Sequence, residues 1–230
     1  MSAVRPITVE PGWACGLRWE GGTGGERGVA SGENSADLTR MRDISERSLR
    51  RAEESVRRLL GHSVRLTLRG IHPLSTLVED AEGGFIAGLQ LQITGQGNGR
   101  ILILFPLPMV FRFLQVLLGG AAEPRPLMEM ERSAIQEVGN IMASSFLSEL
   151  GDLLGRRLLH SSPEMHIENI PQLVRDVATS LRASGSELLV IQGAIEDGEH
   201  QPQGRFFFVP EAAALEPITR AAAGNREGFR

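Results

Sequence analysis

The sequence predicts an α+β fold: a pseudo-twofold repeat in which each half supplies a long helix, antiparallel strands and a closing helix to one shared sheet. Three observations carry this expectation. Helical periodicity and strand-like runs alternate twice along the chain, in the same order each time. Leu59-Leu60-Gly61 recurs as Leu153-Leu154-Gly155, 94 positions further on, and that offset sets Met41 on Ile135, Ile44 on Val138, Ala52 on Phe146 and Val56 on Leu150. Arg100 to Pro106 (RILILFP) is echoed by Gly204 to Pro210 (GRFFFVP), each an apolar run stopped by Pro ahead of a helix. Matches that keep their order imply an internal repeat, with halves at about 35–120 and 126–223.

The elements follow in order. Residues 1–34 are rich in Gly, including Gly21-Gly22-Thr23-Gly24-Gly25, hold Cys15, Trp13 and Trp19, and lack hydrophobic periodicity. They read as a flexible tail. The alternatives are a Trp-bearing docking peptide, or a true start near Met41. From about Ser35, Met41, Ser45, Ser48, Ala52, Val56 and Leu59 recur at spacings of three and four, an amphipathic helix ending at Gly61. Strands are expected over Val64 to Leu68, Gly84 to Thr94 and Arg100 to Phe105. Gly95-Gln96-Gly97-Asn98-Gly99 has hairpin-loop composition, and Pro106 and Pro108 end the third strand. Met109 to Leu118 reads as a helix closed by Gly119-Gly120.

The second half runs the same way. A long helix is expected over Pro126 to Gly155, an extended piece over Pro163 to Ile170 and a helix over Pro171 to Leu181. Strands at Glu187 to Glu196 and Arg205 to Val209 lead to a closing helix from Pro210 to about Ala223. Residues 224–230 are left as a C-terminal tail.

Composition narrows the function classes. With 41% hydrophobic and 23% charged residues, the 230-residue chain can bury one large core or two small ones. A net charge of −4, with every basic residue an Arg and these scattered along the chain, argues against a nucleic-acid partner. The single cysteine cannot form an internal disulfide, and no run of about 18 apolar residues or signal-peptide core is present. The expectation is a cytoplasmic protein with no membrane partner. The five His show no ligand spacing, no Cys/His cluster exists, and P-loop and G-x-S-x-G patterns are missing. No metal site is expected. Chemistry must rest on carboxylates, amides or hydroxyls, or come from a partner.

One helix stands out. At about 100° per residue, Met128, Ile135, Val138, Met142, Phe146, Leu150 and Leu153 form an apolar face directed to the core. Opposite lie Ser133, Glu137, Asn140, Ser144, Ser148 and Gly151. Apart from one acid and one amide, every member of this outward stripe is small, whereas a merely solvated face normally carries long charged side chains. A smooth stripe suits close approach by a partner. Gly139, beside Asn140, costs about 1 kcal/mol of helix propensity relative to Ala, which close packing of a neighbour on the backbone would explain.

Glu137-Val138-Gly139-Asn140-Ile141, the small residues after it and Leu153-Leu154-Gly155 together resemble the E-x-G-N-I helix of the CheC/CheX/FliY family of chemotaxis response-regulator phosphatases. The likeness extends over roughly residues 36–222. It implies docking on a phosphorylated CheY-like receiver domain and hydrolysis of its aspartyl phosphate, ending a chemotaxis signal. By that resemblance Asn140 positions the water and Glu137 pairs with the receiver's Lys. Ser133, Gly139, Ser144 and Ser148 would form the docking face. No cofactor of the chain's own is implied, since Mg²⁺ is held by the receiver. The family also binds the deamidase CheD, a second implied partner.

The first half departs from this pattern. At the same offset Asp43 stands for Glu137 and Glu46 for Asn140, while Arg50 and Glu54 replace Ser144 and Ser148. A carboxylate in the Asn place cannot donate and repels a phosphoryl group, so the first site is expected to be lost. Two other readings stand beside the enzyme: a non-catalytic adaptor binding a receiver or CheD, and a flagellar-switch component.

Overall fold

The computed structural model describes residues 32–61, 64–73, 85–119, 125–169, 189–197 and 202–211. The Gly-rich segment up to residue 31, the helix expected over 171–181, nearly all of the one from Pro210, and the tail at 224–230 lie outside them.

The first half contributes α1 (Gly32–Leu60), β1 (Val64–Pro73), β2 (Phe85–Gly95), β3 (Gly99–Pro106) and α2 (Leu107–Leu118). The second contributes α3 (Glu129–Leu154), β4 (Leu158–His160), β5 (Glu164–Asn169), β6 (Leu189–Asp197) and β7 (Pro202–Pro210). Several bounds differ from the sequence expectation for local reasons. Gly32 to Asn34, read with the tail, open α1. β1 runs past Leu68 because a register shift between Leu68 and Gly70 absorbs the irregularity there. Pro108 belongs to the first turn of α2 rather than to the strand end. A proline is tolerated there because a first-turn N–H has no helical acceptor.

The strands form one seven-stranded sheet in the order β1-β6-β7-β3-β2-β4, with β5 also paired to β2. Every pairing is antiparallel. Strands from the two halves interleave: β1 pairs with β6, and β5 with β2. Exchanging β1 with β5, β2 with β6 and β3 with β7 returns the same order, which is consistent with a twofold repeat centred between β3 and β7. The Leu-Leu-Gly signature has a matching role in both halves, since Gly61 and Gly155 follow the long helices with φ of 65° and 62°. Such left-handed helix ends favour glycine.

Both faces of the central strands are buried. Leu89, Ile101, Ile103, Phe206 and Phe208 belong to the core shared with the helices. Leu102, Leu104, Phe207 and Val209 alternate with these and are buried as well. This double burial is why β3 and β7 read as continuous apolar runs. α3 is pinned to β7 by Phe146, whose ring lies 4.9 Å from that of Phe206 and 5.3 Å from that of Phe208. α1 lies beside α3, joined by an Arg47–Glu149 ion pair at 3.0 Å and a Ser145–Ser55 hydroxyl bond at 2.8 Å. The inward hydroxyls of Ser45 and Ser48 donate to the carbonyls of Met41 and Ile44, one turn back. Two serines can thus lie on a core face without unpaired donors.

The start of α3 is fixed by a buried carboxylate. Glu131 accepts from the Met128 N–H at 2.8 Å and from both terminal nitrogens of Arg125. The Arg125 hydrogen bonds, then the Met128 N–H, lower its pKa from 4.5 to about 2, against the desolvation that opposes them. A lowered folded-state pKa contributes stability that is present above the unfolded value and is lost as pH falls toward 2. Glu131→Gln is therefore expected to be less stable than wild type above about pH 4.5. The difference between the two proteins should shrink steadily toward pH 2. Denaturant titrations across that range check this; a constant difference would refute it.

Candidate functional site

The long helix α3 presents its outward residues much as the sequence wheel implies. Ser133, Glu137, Ser144 and Ser148 are exposed, and Asn140 is half-buried. Glu137 and Asn140, one turn apart, touch directly: Asn140 Nδ2 donates to Glu137 Oε2 at 3.3 Å. This contact turns the amide so that its nitrogen faces the carboxylate. Among the described residues the amide oxygen has no donor, so it is left as an acceptor.

Two glycines fall differently from expectation. Gly139, expected on the docking face, is buried against the sheet: a Cβ there would run into Leu89 Cδ1, with Leu89 Cγ at 3.5 Å and Ile103 Cδ1 at 3.7 Å. The reason is helical geometry, because Gly139 lies one turn from Ile135, Met142 and Ala143, all core positions. Gly151, expected at the far end of the smooth stripe, is also buried. A Cβ there would come 2.5 Å from the Arg156 carbonyl oxygen, and the Arg156 N–H donates to the Gly151 carbonyl at 2.9 Å. The chain thus folds back over the end of α3 instead of leaving it open. At the other end Met128, expected on the core face, is exposed because it caps the helix instead of belonging to it.

That return brings in residues the sequence reading missed. Past Gly155 the chain enters β4, which pairs with the end of β2 through Ile93↔His160, Thr94↔Leu159 and Gly95↔Leu158. His160 then meets α3: Ser144 Oγ lies 2.8 Å from His160 Nε2. The other ring nitrogen lies 2.7 Å from the Ser161 carbonyl oxygen, which only accepts. Nδ1 therefore carries the hydrogen, and in the neutral ring Nε2 accepts from the Ser144 hydroxyl. Ser144 and Ser148 become one wall of a groove of about 520 Å³, with Asp152, Arg156, Arg157 and His160 on its other sides. Nothing in the local sequence signals this. β4 spans only Leu158–His160, too short a run to show periodicity, and the Ser144–His160 contact depends on where the helix stops.

In the first half the expected departure stands in a different setting. Asp43 is exposed and Glu46 half-buried on α1. Arg50 is exposed, and Glu54 pairs with Arg51 at 3.4 Å. This is a charged helix face, without the small side chains of α3. Among the described residues no group of His, Cys, Asp or Glu is arranged to hold a metal ion, and no helix is long and apolar enough to cross a membrane.

Fold and helix together define an antiparallel α+β domain with one acid–amide pair on an exposed face. Residues 130–167, covering most of α3 through β5, match the CheC-like family. The chain is 26% identical to the CheY-P phosphatase CheC of Bacillus subtilis over 138 residues, 58% of this chain and 66% of that one. It therefore spans about two thirds of that relative's length. It is 28% identical to CheC1 of Halobacterium salinarum over 173 residues, covering 72% and 79% of the two chains. In fold it is similar to Thermotoga maritima FliY, with a TM-score of 0.64 at 18% identity, covering 85% of this chain and 98% of that one. The FliM middle domain of Vibrio alginolyticus shares the fold at a TM-score of 0.54 and 18% identity, covering 80% and 99%. The chain is thus similar to CheC-like proteins through this segment and shares its fold with FliY and the FliM middle domain.

Proposed function

We propose that the protein docks through the outward face of α3 on a phosphorylated CheY-like receiver domain and hydrolyses its aspartyl phosphate. The observation that carries this reading is the Glu137–Asn140 pair, set on a helix face that also presents the small side chains of Ser133, Ser144 and Ser148. Its CheC relatives are consistent with it.

The chemistry asked of the chain is modest. A water attacks phosphorus, the phosphorus–oxygen bond to the receiver's aspartate breaks, and the carboxylate leaves with its electron pair. Mg²⁺ held by the receiver would carry the developing charge, so catalysis here is positioning and exclusion of other water. An amide suits that task because its oxygen accepts from the water while its nitrogen can donate to a phosphoryl oxygen, without adding negative charge. It cannot take the water's proton, which passes to phosphate or to solvent. Glu137 holds the Asn140 amide in the free protein and offers its carboxylate to a cation of the docked receiver.

The adaptor reading, in which the chain binds a receiver or CheD without turnover, draws on the loss of the acid–amide pair from α1, where Asp43 and Glu46 stand. A phosphate-release assay with phosphorylated CheY-like receivers separates the two. Acceleration that depends on Asn140 supports the enzyme, and binding without acceleration supports the adaptor.

Docking itself is tested at Ser144. It is exposed, so Ser144→Arg should change stability by no more than about 0.5 kcal/mol, beyond the loss of the hydroxyl bond to His160. A long cation one turn past Asn140 should nonetheless obstruct a receiver, lowering affinity and rate together by about tenfold or more. A folded variant that binds and hydrolyses normally would show that the partner does not use this face.

A further inference from the structure

The groove beside the Glu137–Asn140 pair holds donors for which the proposed reaction has not yet found a use. Its floor is rigid. The Arg157 N–H donates to Gln96 Oε1 at 2.7 Å, the Gln96 N–H donates to the Arg157 carbonyl at 2.9 Å, and Arg156 Nη1 donates to the Gln96 carbonyl at 3.2 Å. Gly151 and Gly95 let this segment close down, since a Cβ at either would come within 2.5 Å and 2.7 Å of the carbonyl oxygens of Arg156 and Arg157. Arg157 is thereby held at the groove, and among the described residues its guanidinium has neither an ion pair nor a hydrogen bond. Ser144, Ser148 and His160 line the same groove. Two guanidinium groups and an imidazole stand against one carboxylate, Asp152. Such a set of forked and hydroxyl donors matches a tetrahedral oxyanion.

We propose that this groove is a phosphate-binding site that receives the inorganic phosphate released at Asn140. Ser144 follows Asn140 by four residues, about 6 Å along the helix axis, so the product has a short way to travel. Arg157 supplies the principal charge. The Ser148 hydroxyl donates to one oxygen, and the Ser144 hydroxyl donates to a second by turning away from His160 Nε2. Asp152 opposes the anion and sets the affinity low enough for release. The source of the phosphate rests on the phosphatase reading, whereas the binding itself does not.

The test is a titration of the full chain, without any receiver, with inorganic phosphate at constant ionic strength, followed in amide nitrogen–proton NMR spectra. Saturable shifts should be confined to Ser144, Ser148, Gly151, Arg157 and His160, with a dissociation constant on the order of a millimolar. Arg157→Ala should weaken binding about tenfold or more and Asp152→Asn should tighten it several-fold, opposite signs that general loss of structure cannot produce. Shifts that do not saturate, or that persist in Arg157→Ala, would overturn the site. So would abolished docking of a phosphorylated receiver in Arg157→Ala with an unchanged phosphate titration, since the groove would then read the partner and not the product. Saturable phosphate binding in a protein that never dephosphorylates a receiver would support the site while removing the phosphatase reading.

Discussion

Asn140→Ala should slow receiver dephosphorylation about a hundredfold or more while leaving most of the binding intact. The size follows from the role: an amide that aligns one water acts on the orientation part of the barrier, and misplacing a reacting atom by about 1 Å costs on this scale. Binding should survive because Asn140 is one half-buried side chain on a face that also offers Glu137, Ser144 and Ser148. Its removal leaves Glu137 Oε2 without the 3.3 Å hydrogen bond. That carboxylate is exposed and regains water, so folding stability should barely change. The control lies in α1. Asp43→Ala with Glu46→Ala alters the positions equivalent by repeat and should leave the rate near wild type. Single-turnover decay of phosphoryl-receiver, with affinity measured separately, reads both. An unchanged rate in Asn140→Ala removes the catalytic assignment, and loss of rate in the α1 double variant restores a working first site.

The sequence was most informative where a pattern is long. α3 spans 26 residues, enough turns for its inward positions to repeat visibly, and Ile135, Val138, Met142, Phe146 and Leu150 are all buried as the wheel implied. The RILILFP and GRFFFVP runs revealed two strands through shared composition, and they are neighbours in the sheet, with Leu102 opposite Phe207. What remained hidden depends on tertiary return. The interleaving of β1 with β6 and of β5 with β2 is invisible to local periodicity. So is the groove, because His160 reaches Ser144 only through a three-residue strand placed by its pairing with β2. The glycines mark the limit most sharply. Gly139 and Gly151 looked like smoothness on an outer face, since a missing side chain says only that something comes close. For Gly139 that neighbour is the sheet, and for Gly151 it is the chain folding back.

Gly139→Val should cost about 3 kcal/mol of stability, close to a hundredfold in the folding equilibrium, and the loss should be recoverable from within the core. Replacing Gly by Ala would gain about 1 kcal/mol of helix propensity, and a β-branched side chain gains less. Against this, Val sets a Cβ and two methyls where Leu89 Cδ1 lies and Leu89 Cγ is only 3.5 Å away. Leu89 is fully buried between α3 and the sheet, so its side chain cannot swing clear without displacing Ile103 and its neighbours. Overpacking of this kind costs about 1–3 kcal/mol and sometimes more. Shortening the partner tests the mechanism. Leu89→Ala alone should cost about 2–5 kcal/mol by leaving a cavity, yet combined with Gly139→Val the two changes fill one another. The double variant should therefore be more stable than the sum of the single losses by about 1 kcal/mol or more. Denaturant titrations of the four proteins close the cycle. If instead the losses simply add, Gly139 is not held by Leu89. If Gly139→Val folds at wild-type stability but no longer docks a receiver, the glycine of this motif belongs to the partner surface after all.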